Sequence, residues 1–156
     1  MTPTSAFRVR LVDWRDASDV LSRIRTTVFV GEQKVPAEIE IDGRDPECAH
    51  ALAENASGEA VGTGRLMPDG RIGRMAVLAE WRNRGVGAAM LEALVSEARR
   101  RGFREVYLHA QVRARDFYLR HGFAVEGGEY LEAGIPHVGM RMTLGDRGQV
   151  ARGKRD

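Results

Sequence analysis

Met75-Ala76-Val77, and shortly after it Trp81-Arg82-Asn83-Arg84-Gly85-Val86-Gly87-Ala88, lead directly into a helical pattern that runs from Gly85 to Arg101. In that pattern Met90, Leu91, Leu94, Val95 and Ala98 form one apolar stripe. Glu92, Ser96, Glu97, Arg99 and Arg100 are expected to face away from it, and Gly102 supplies the stop. A helix N-terminus presents N–H groups without intrahelical partners and the positive end of the helix dipole. Gly85 and Gly87 let a bulky anion approach those groups without interference from a Cβ, and Arg82 and Arg84 add charge. The stretch therefore describes a phosphate or pyrophosphate cradle, set against the plainer reading of an ordinary helix start. Two familiar phosphate motifs do not fit. A Walker loop needs Gly-Lys-Ser/Thr where Ala88 and Ala89 follow Gly87, and a dinucleotide fingerprint needs a third glycine where Met90 stands.

The elements around this stretch follow from period and punctuation. Phe7, Val9 and Leu11 alternate with Arg8 and Arg10 as in a half-buried strand. Val20, Leu21, Ile24 and Val28 recur at helical spacing behind candidate caps at Asp16, Ser18 and Asp19. Residues 31–46 are acidic and broken by Pro36, Gly43 and Pro46, which reads as a long loop. Residues 49–53 and 59–66 flank Asn55-Ala56-Ser57-Gly58 as a hairpin, and residues 71–78 form a third strand after the Pro68-Asp69-Gly70 turn. Residues 106–110 read as a strand, 114–120 as a short helix, and 123–126 and 136–144 as strands. The long helix joining them makes the strand from Val106 parallel to the strand from Arg71. Residues 145–156 read as a polar tail.

With 156 residues the chain suits one domain, residues 5–144, that holds a core without staples. Apolar residues make up 43% and charged residues 29%, which excludes a disordered or collagen-like chain. The longest apolar run, Met75 to Ala79, is far too short to span a bilayer, and the N-terminal residues carry no secretory apolar region, so a cytoplasmic address is expected. Cys48 stands alone, which leaves neither an internal disulfide nor a cysteine metal cluster. The balance of 24 basic against 22 acidic side chains names no partner by itself. Its distribution is uneven. Glu32, Glu38, Glu40, Asp42, Asp45 and Glu47 face only Lys34 and Arg44 within residues 30–47, whereas residues 65–120 are rich in arginine. That pattern suits an anionic ligand near the second half and a cationic one near the first, or simply a solvated surface.

Context sharpens the cradle. Met75-Ala76-Val77 followed by Arg82, Gly85 and Gly87 resembles the Arg/Gln-x-x-Gly-x-Gly/Ala acyl-CoA motif of the GNAT N-acetyltransferase superfamily. Ala114-Arg115-Asp116-Phe117-Tyr118-Leu119-Arg120-His121-Gly122-Phe123 is similar to a second segment of that family, Ala-x-x-Phe-Tyr-x-x-x-Gly-Phe. Residues 28–36, 40–45 and 134–140 resemble the ElaA-type branch. The resemblance implies an α/β (α+β) fold. Its core would be a mixed, mostly antiparallel twisted sheet of about six to seven strands, with a parallel central pair splayed at the acyl-CoA site and about four flanking helices. It implies acetyl-CoA as donor and an amine as acceptor, with no metal, no membrane and no specific nucleic acid, in a monomer or homodimer.

The resemblance also distributes roles. The backbone of Met75, Ala76 and Val77 would pair with the pantetheine arm as an added strand. Arg82, Asn83, Arg84, Gly85, Val86, Gly87 and Ala88 would hold the pyrophosphate, Phe117 would help bind the cofactor, and Tyr118 would sit beside the thioester sulfur. Attack of an amine on a thioester needs a neutral amine, a stabilised oxyanion and a leaving thiolate. A backbone N–H near Val77 suits the oxyanion, and a phenol of pKa about 10 suits the thiolate, so Tyr118 is the candidate acid. For the base, His109, His137 and a water chain stay open, with weaker claims for His50 and His121. Glu32 and Glu40 are candidates for attracting a cationic amine, as are Glu126, Glu129 and Glu132 further on. Two other function classes compete. One is a silent acyl-CoA-binding module; the other is weak nucleic-acid binding through Arg99-Arg100-Arg101 and the tail.

Overall fold

A computed structural model describes residues 6–145, so the tail expected over 145–156 lies outside the described residues save for Gly145. The chain forms two compact units, one within Met1–Pro68 and Gly73–Leu94, the other within Asp69–Ile72 and Val95–Asp156. Among the described residues there are seven strands and four α-helices, with the strands in a four-stranded and a three-stranded sheet.

The first unit carries β1 (Phe7–Val12), α1 (Trp14–Arg25), α2 (Ala37–Glu40), β2 (Ala49–Asn55), β3 (Ala60–Leu66) and most of β4 (Ile72–Val77), in sheet order β1-β2-β3-β4. The Asn55 side chain closes the β2–β3 turn by accepting from the N–H groups of Ser57 and Glu59. Ala17 and Leu21 of α1 pack on Leu52, while Ile24, Val28 and Ala76 make a second cluster. α3 (Val86–Arg100) begins here, and its approach to β3 depends on Gly64. A Cβ at that position would lie 2.7 Å from Met75 Sδ and 3.0 Å from Leu94 Cδ1.

The structure adds detail to two expectations for the first unit. Helix α1, expected to include Val28, continues as a π-helix over Thr26–Glu32. The ordered or semi-ordered loop expected over residues 31–46 contains the short α2 and leads into a 3-10 turn at Asp45–Glu47. Buried arginines supply the reason. Arg25 donates to Glu40 at 2.6 Å and to Asp45 at 2.7 Å, and Arg65 donates to Asp42 at 2.9 Å and to Asp45 at 3.0 Å.

The second unit holds β5 (Glu105–Gln111), α4 (Arg115–Arg120), β6 (Ala124–Glu132) and β7 (Ile135–Thr143), in sheet order β5-β7-β6. The expected parallel relation exists as a single bridge, Arg71 to Tyr107, with Tyr107 N–H donating to Gly70 O at 3.1 Å. Strand β6 runs to Glu132 instead of ending near Glu126, because an irregularity between Glu126 and Tyr130 absorbs its two glycines before pairing resumes. A two-residue turn with positive φ at Ala133 (53°) and Gly134 (75°) then returns the chain into β7. Within the helix, Glu97 does not face solvent as expected. Its side chain is only 6% exposed beneath Arg100 and Arg101, which hold its carboxyl down at about 2.

Candidate active site

Strand β4 is continuous but departs from regular geometry inside the first unit. Arg74 adopts a left-handed φ of 49°, and its guanidinium donates to the carbonyl oxygens of Ile39 and Glu40 at 3.3 and 3.0 Å. The acidic segment thus anchors the strand immediately ahead of Met75, Ala76 and Val77. Beyond Val77 the chain turns through a 3-10 segment, Ala79–Trp81, and reaches the glycine-containing loop. Asn83 and Gly85 both have positive φ, 63° and 88°. A Cβ added at Gly85 would meet nothing within 4 Å, so open space adjoins the backbone just ahead of α3. The first helical bond from that residue runs from Ala89 N–H to Gly85 O, which places Val86, Gly87 and Ala88 in the turn whose N–H groups lack intrahelical partners. This is a backbone cradle that fits a pyrophosphate.

The two arginines of the loop are held differently from a simple charge pair. Arg82 donates to both carboxylate oxygens of Glu32, at 2.6 and 2.7 Å, and its Nε donates to Val77 O at 2.9 Å. It therefore ties the π-helical end of α1 to the end of β4. Arg84 lies over the indole of the buried Trp81, 4.7 Å from the ring centroid. Glu32 and Arg82, expected on acceptor and donor sides, are thus brought together. Glu40 is 4% exposed and bound by Arg25 and Arg74, so it is a structural carboxylate rather than a docking point for an amine.

In the second unit Tyr118 of α4 is buried, with Phe117 and Phe123 edge-on at 5.0 and 5.8 Å. Burial pushes its phenol up to about 12, so it carries its proton throughout the neutral range. Phe117 also lies 4.8 Å from the His121 ring, which gives that imidazole a packing role.

His109 on β5 is partly exposed, and its Nδ1 lies 3.1 Å from Glu132 Oε1 and 3.3 Å from an Arg71 guanidinium nitrogen. His137 on β7 is buried, and its Nδ1 is taken by Ile135 O at 2.7 Å. Tyr130 stands near both, edge-on to His109 at 5.9 Å and tilted against His137 at 6.1 Å. His50, in the first unit, is buried against Asp45 O, and desolvation lowers its pKa. Burial pushes the Cys48 thiol up to about 11, leaving it unreactive. Arg71 and the Arg25–Arg65 network were not singled out as functional or structural groups by sequence, because their partners lie 15 to 38 residues away and follow no local period. Arg100 and Arg101, candidates for phosphate backbones, are both engaged by Glu97.

The family model described as Acetyltransferase (GNAT) domain matches residues 22–144. A Bacillus subtilis protein named uncharacterized N-acetyltransferase YjcF is 41% identical over 121 residues, covering 75% of this chain and 86% of that protein. The chain belongs to the GNAT acetyltransferase family. Solved structures of its relatives share the fold. An acyl-CoA N-acyltransferase from Pseudomonas aeruginosa has a TM-score of 0.78 at 32% identity, covering 88% of this chain and 99% of the other. Escherichia coli ElaA has a TM-score of 0.78 at 27% identity, with the same two coverages. This GNAT member is an acyltransferase, and acyl-CoA is the donor class its family uses. Among its described residues, no helix is long and apolar enough to cross a membrane.

Proposed function

We propose that this GNAT acyltransferase moves an acetyl group from acetyl-CoA to a primary amine by direct attack, as one catalytic domain over residues 5–144 in the cytoplasm. The observation that carries the reading is the open backbone cradle from Arg82 to Ala88 at the start of α3, led into by a β4 that breaks its regular geometry at Arg74. When bound, acetyl-CoA supplies an activated acyl group, and the residues supply everything else. N–H groups from Gly85 to Ala88 hold the pyrophosphate. The backbone of Met75 to Val77 takes the pantetheine arm as an added strand. A backbone N–H near Val77 receives the developing oxyanion.

Tyr118 gives its proton to the sulfur as the C–S bond breaks, and burial keeps that proton in place until then. His109 takes the proton that the amine nitrogen loses on forming the amide bond. Its 32% side-chain exposure leaves the ring reachable, whereas His137 is buried and its Nδ1 is engaged. Solvent then restores both groups. A thiol-release assay with acetyl-CoA against a panel of amines, with mass spectrometry of the products, tests the reading. Thiol release that depends on an amine, with a product heavier by one acetyl group, is the expected result. No release with any amine, despite CoA binding, would leave a silent acyl-CoA-binding module.

A further inference from the structure

We propose that Glu132 is a positioning residue for His109, fixing the imidazole with its proton on Nδ1 so that Nε2 is the basic nitrogen, and that Arg71 opposes it at the same ring atom. The proposal rests on the reading of His109 as the base. Its grounds lie wholly within the second unit.

His109 Nδ1 has two neighbours of opposite demand. Glu132 Oε1, at 3.1 Å, can only accept, so it calls for a proton on Nδ1. The Arg71 guanidinium, at 3.3 Å, can only donate, so it calls for a bare Nδ1. Nε2 makes no hydrogen bond among the described residues. With Glu132 engaged, Nε2 of the neutral ring carries the lone pair, and the imidazolium formed after proton uptake keeps its Nδ1–H on a carboxylate. With Arg71 engaged, the proton sits on Nε2 and the ring cannot accept there. Glu132 reaches His109 because the turn at Ala133 and Gly134 sets the end of β6 against β7, which itself pairs with β5. The other groups facing the ring are Tyr107 and Tyr130, at 6.3 and 5.9 Å between ring centroids, both uncharged at neutral pH. His137 Nε2 lies 3.9 Å from the second Glu132 oxygen, beyond hydrogen-bond reach. The contest between Glu132 and Arg71 at one ring nitrogen therefore sets the tautomer. Neither group touches the reacting atoms for this to work.

The test uses the full chain, labelled with ¹⁵N-histidine and without donor or acceptor, and follows His109 by long-range ¹H–¹⁵N spectra through a pH titration. The His109 signal is assigned from its loss in His109→Gln. The parent is expected to show the Nδ1–H tautomer in neutral His109. Glu132→Gln keeps an acceptor and should keep the Nδ1–H tautomer. Glu132→Ala should turn the neutral ring over to the Nε2–H tautomer, and Arg71→Gln should leave it Nδ1–H. Turnover by Glu132→Ala should fall about tenfold or more, as for a base in the wrong tautomer. KM for the donor and the melting temperature should change little, since Glu132 is 42% exposed. An unchanged tautomer in Glu132→Ala would overturn the proposal. A tautomer that changes as expected beside unchanged turnover would uphold the couple and overturn the reading of His109 as base.

Discussion

Arg25 and His109 each stand between two charged side chains, yet they behave as different kinds of site. Arg25 in the first unit is 2% exposed and donates to two carboxylates at 2.6 and 2.7 Å, while Arg65, 3% exposed, holds Asp42 and Asp45. Every carboxylate there has a guanidinium, and no arrangement of protons competes with the one present. His109 in the second unit is 32% exposed and offers one ring nitrogen to both a carboxylate and a guanidinium. Saturation and burial make a network structural, because breaking it strands a charge away from water. Partial exposure and competing partners make a site that changes its protonation at little cost to folding.

The comparison breaks most visibly at Arg25. Arg25→Ala leaves Glu40 with Arg74 alone and Asp45 with Arg65 alone, in a region that stays buried, and should cost about 3–5 kcal/mol of stability. Urea denaturation measures it. A loss under about 1 kcal/mol would mean that water reaches the network and that it resembles the His109 cluster after all.

Tyr118 sharpens the contrast from the other side, being buried like Arg25 but packed on aromatic rings instead of ions. Tyr118→Phe keeps the ring and its neighbours. Turnover should fall on the order of 10²-fold, with acetyl-CoA affinity little changed, because the phenol acts only as charge develops on sulfur. Turnover within about twofold of the parent would reject the phenol as the acid.

A smaller effect reads the buried groups of the first unit by pH. The carboxyls of Asp42 and Asp45 lie below their ordinary value because Arg25, Arg65 and neighbouring donors outweigh the desolvation that opposes them. For an acid with a depressed folded value, the stabilisation is present above the unfolded pKa and is lost only as pH falls below about 4. His50 is a base lowered by burial, so its unfolded form takes up a proton first, and stability should begin to fall as pH drops through about 6.5. Denaturation midpoints should therefore decline in two stages, the upper one absent in a His50→Gln protein. A single decline near pH 4 in the parent would show that His50 is not held neutral.

Much of this was legible in the sequence, for reasons particular elements make plain. The apolar stripe from Met90 to Ala98 and the alternation at Phe7, Val9 and Leu11 are local, and so are the two glycines and two arginines ahead of α3. Residues 31–46 are legible as an ordered or semi-ordered loop, but the source of their order is not, since it comes from Arg25 and Arg65, distant in the chain and buried by tertiary packing. The same cause hid the Glu32–Arg82 pair, 50 residues apart, and the use of Glu40 as a structural carboxylate. Strand β6 was shortened because Gly127 and Gly128 look like a stop, whereas they serve as an irregularity within a continuing strand.

Calorimetric titration of acetyl-CoA into the parent and into Gly87→Val tests most directly that the start of α3 is the acyl-CoA cradle. A Cβ and two methyl groups in that turn would stand where the phosphate must approach the backbone. The parent should bind at one site per chain, and the variant should bind at least about tenfold more weakly while melting close to the parent. Normal binding by Gly87→Val, or no binding by a folded parent, would contradict the assignment.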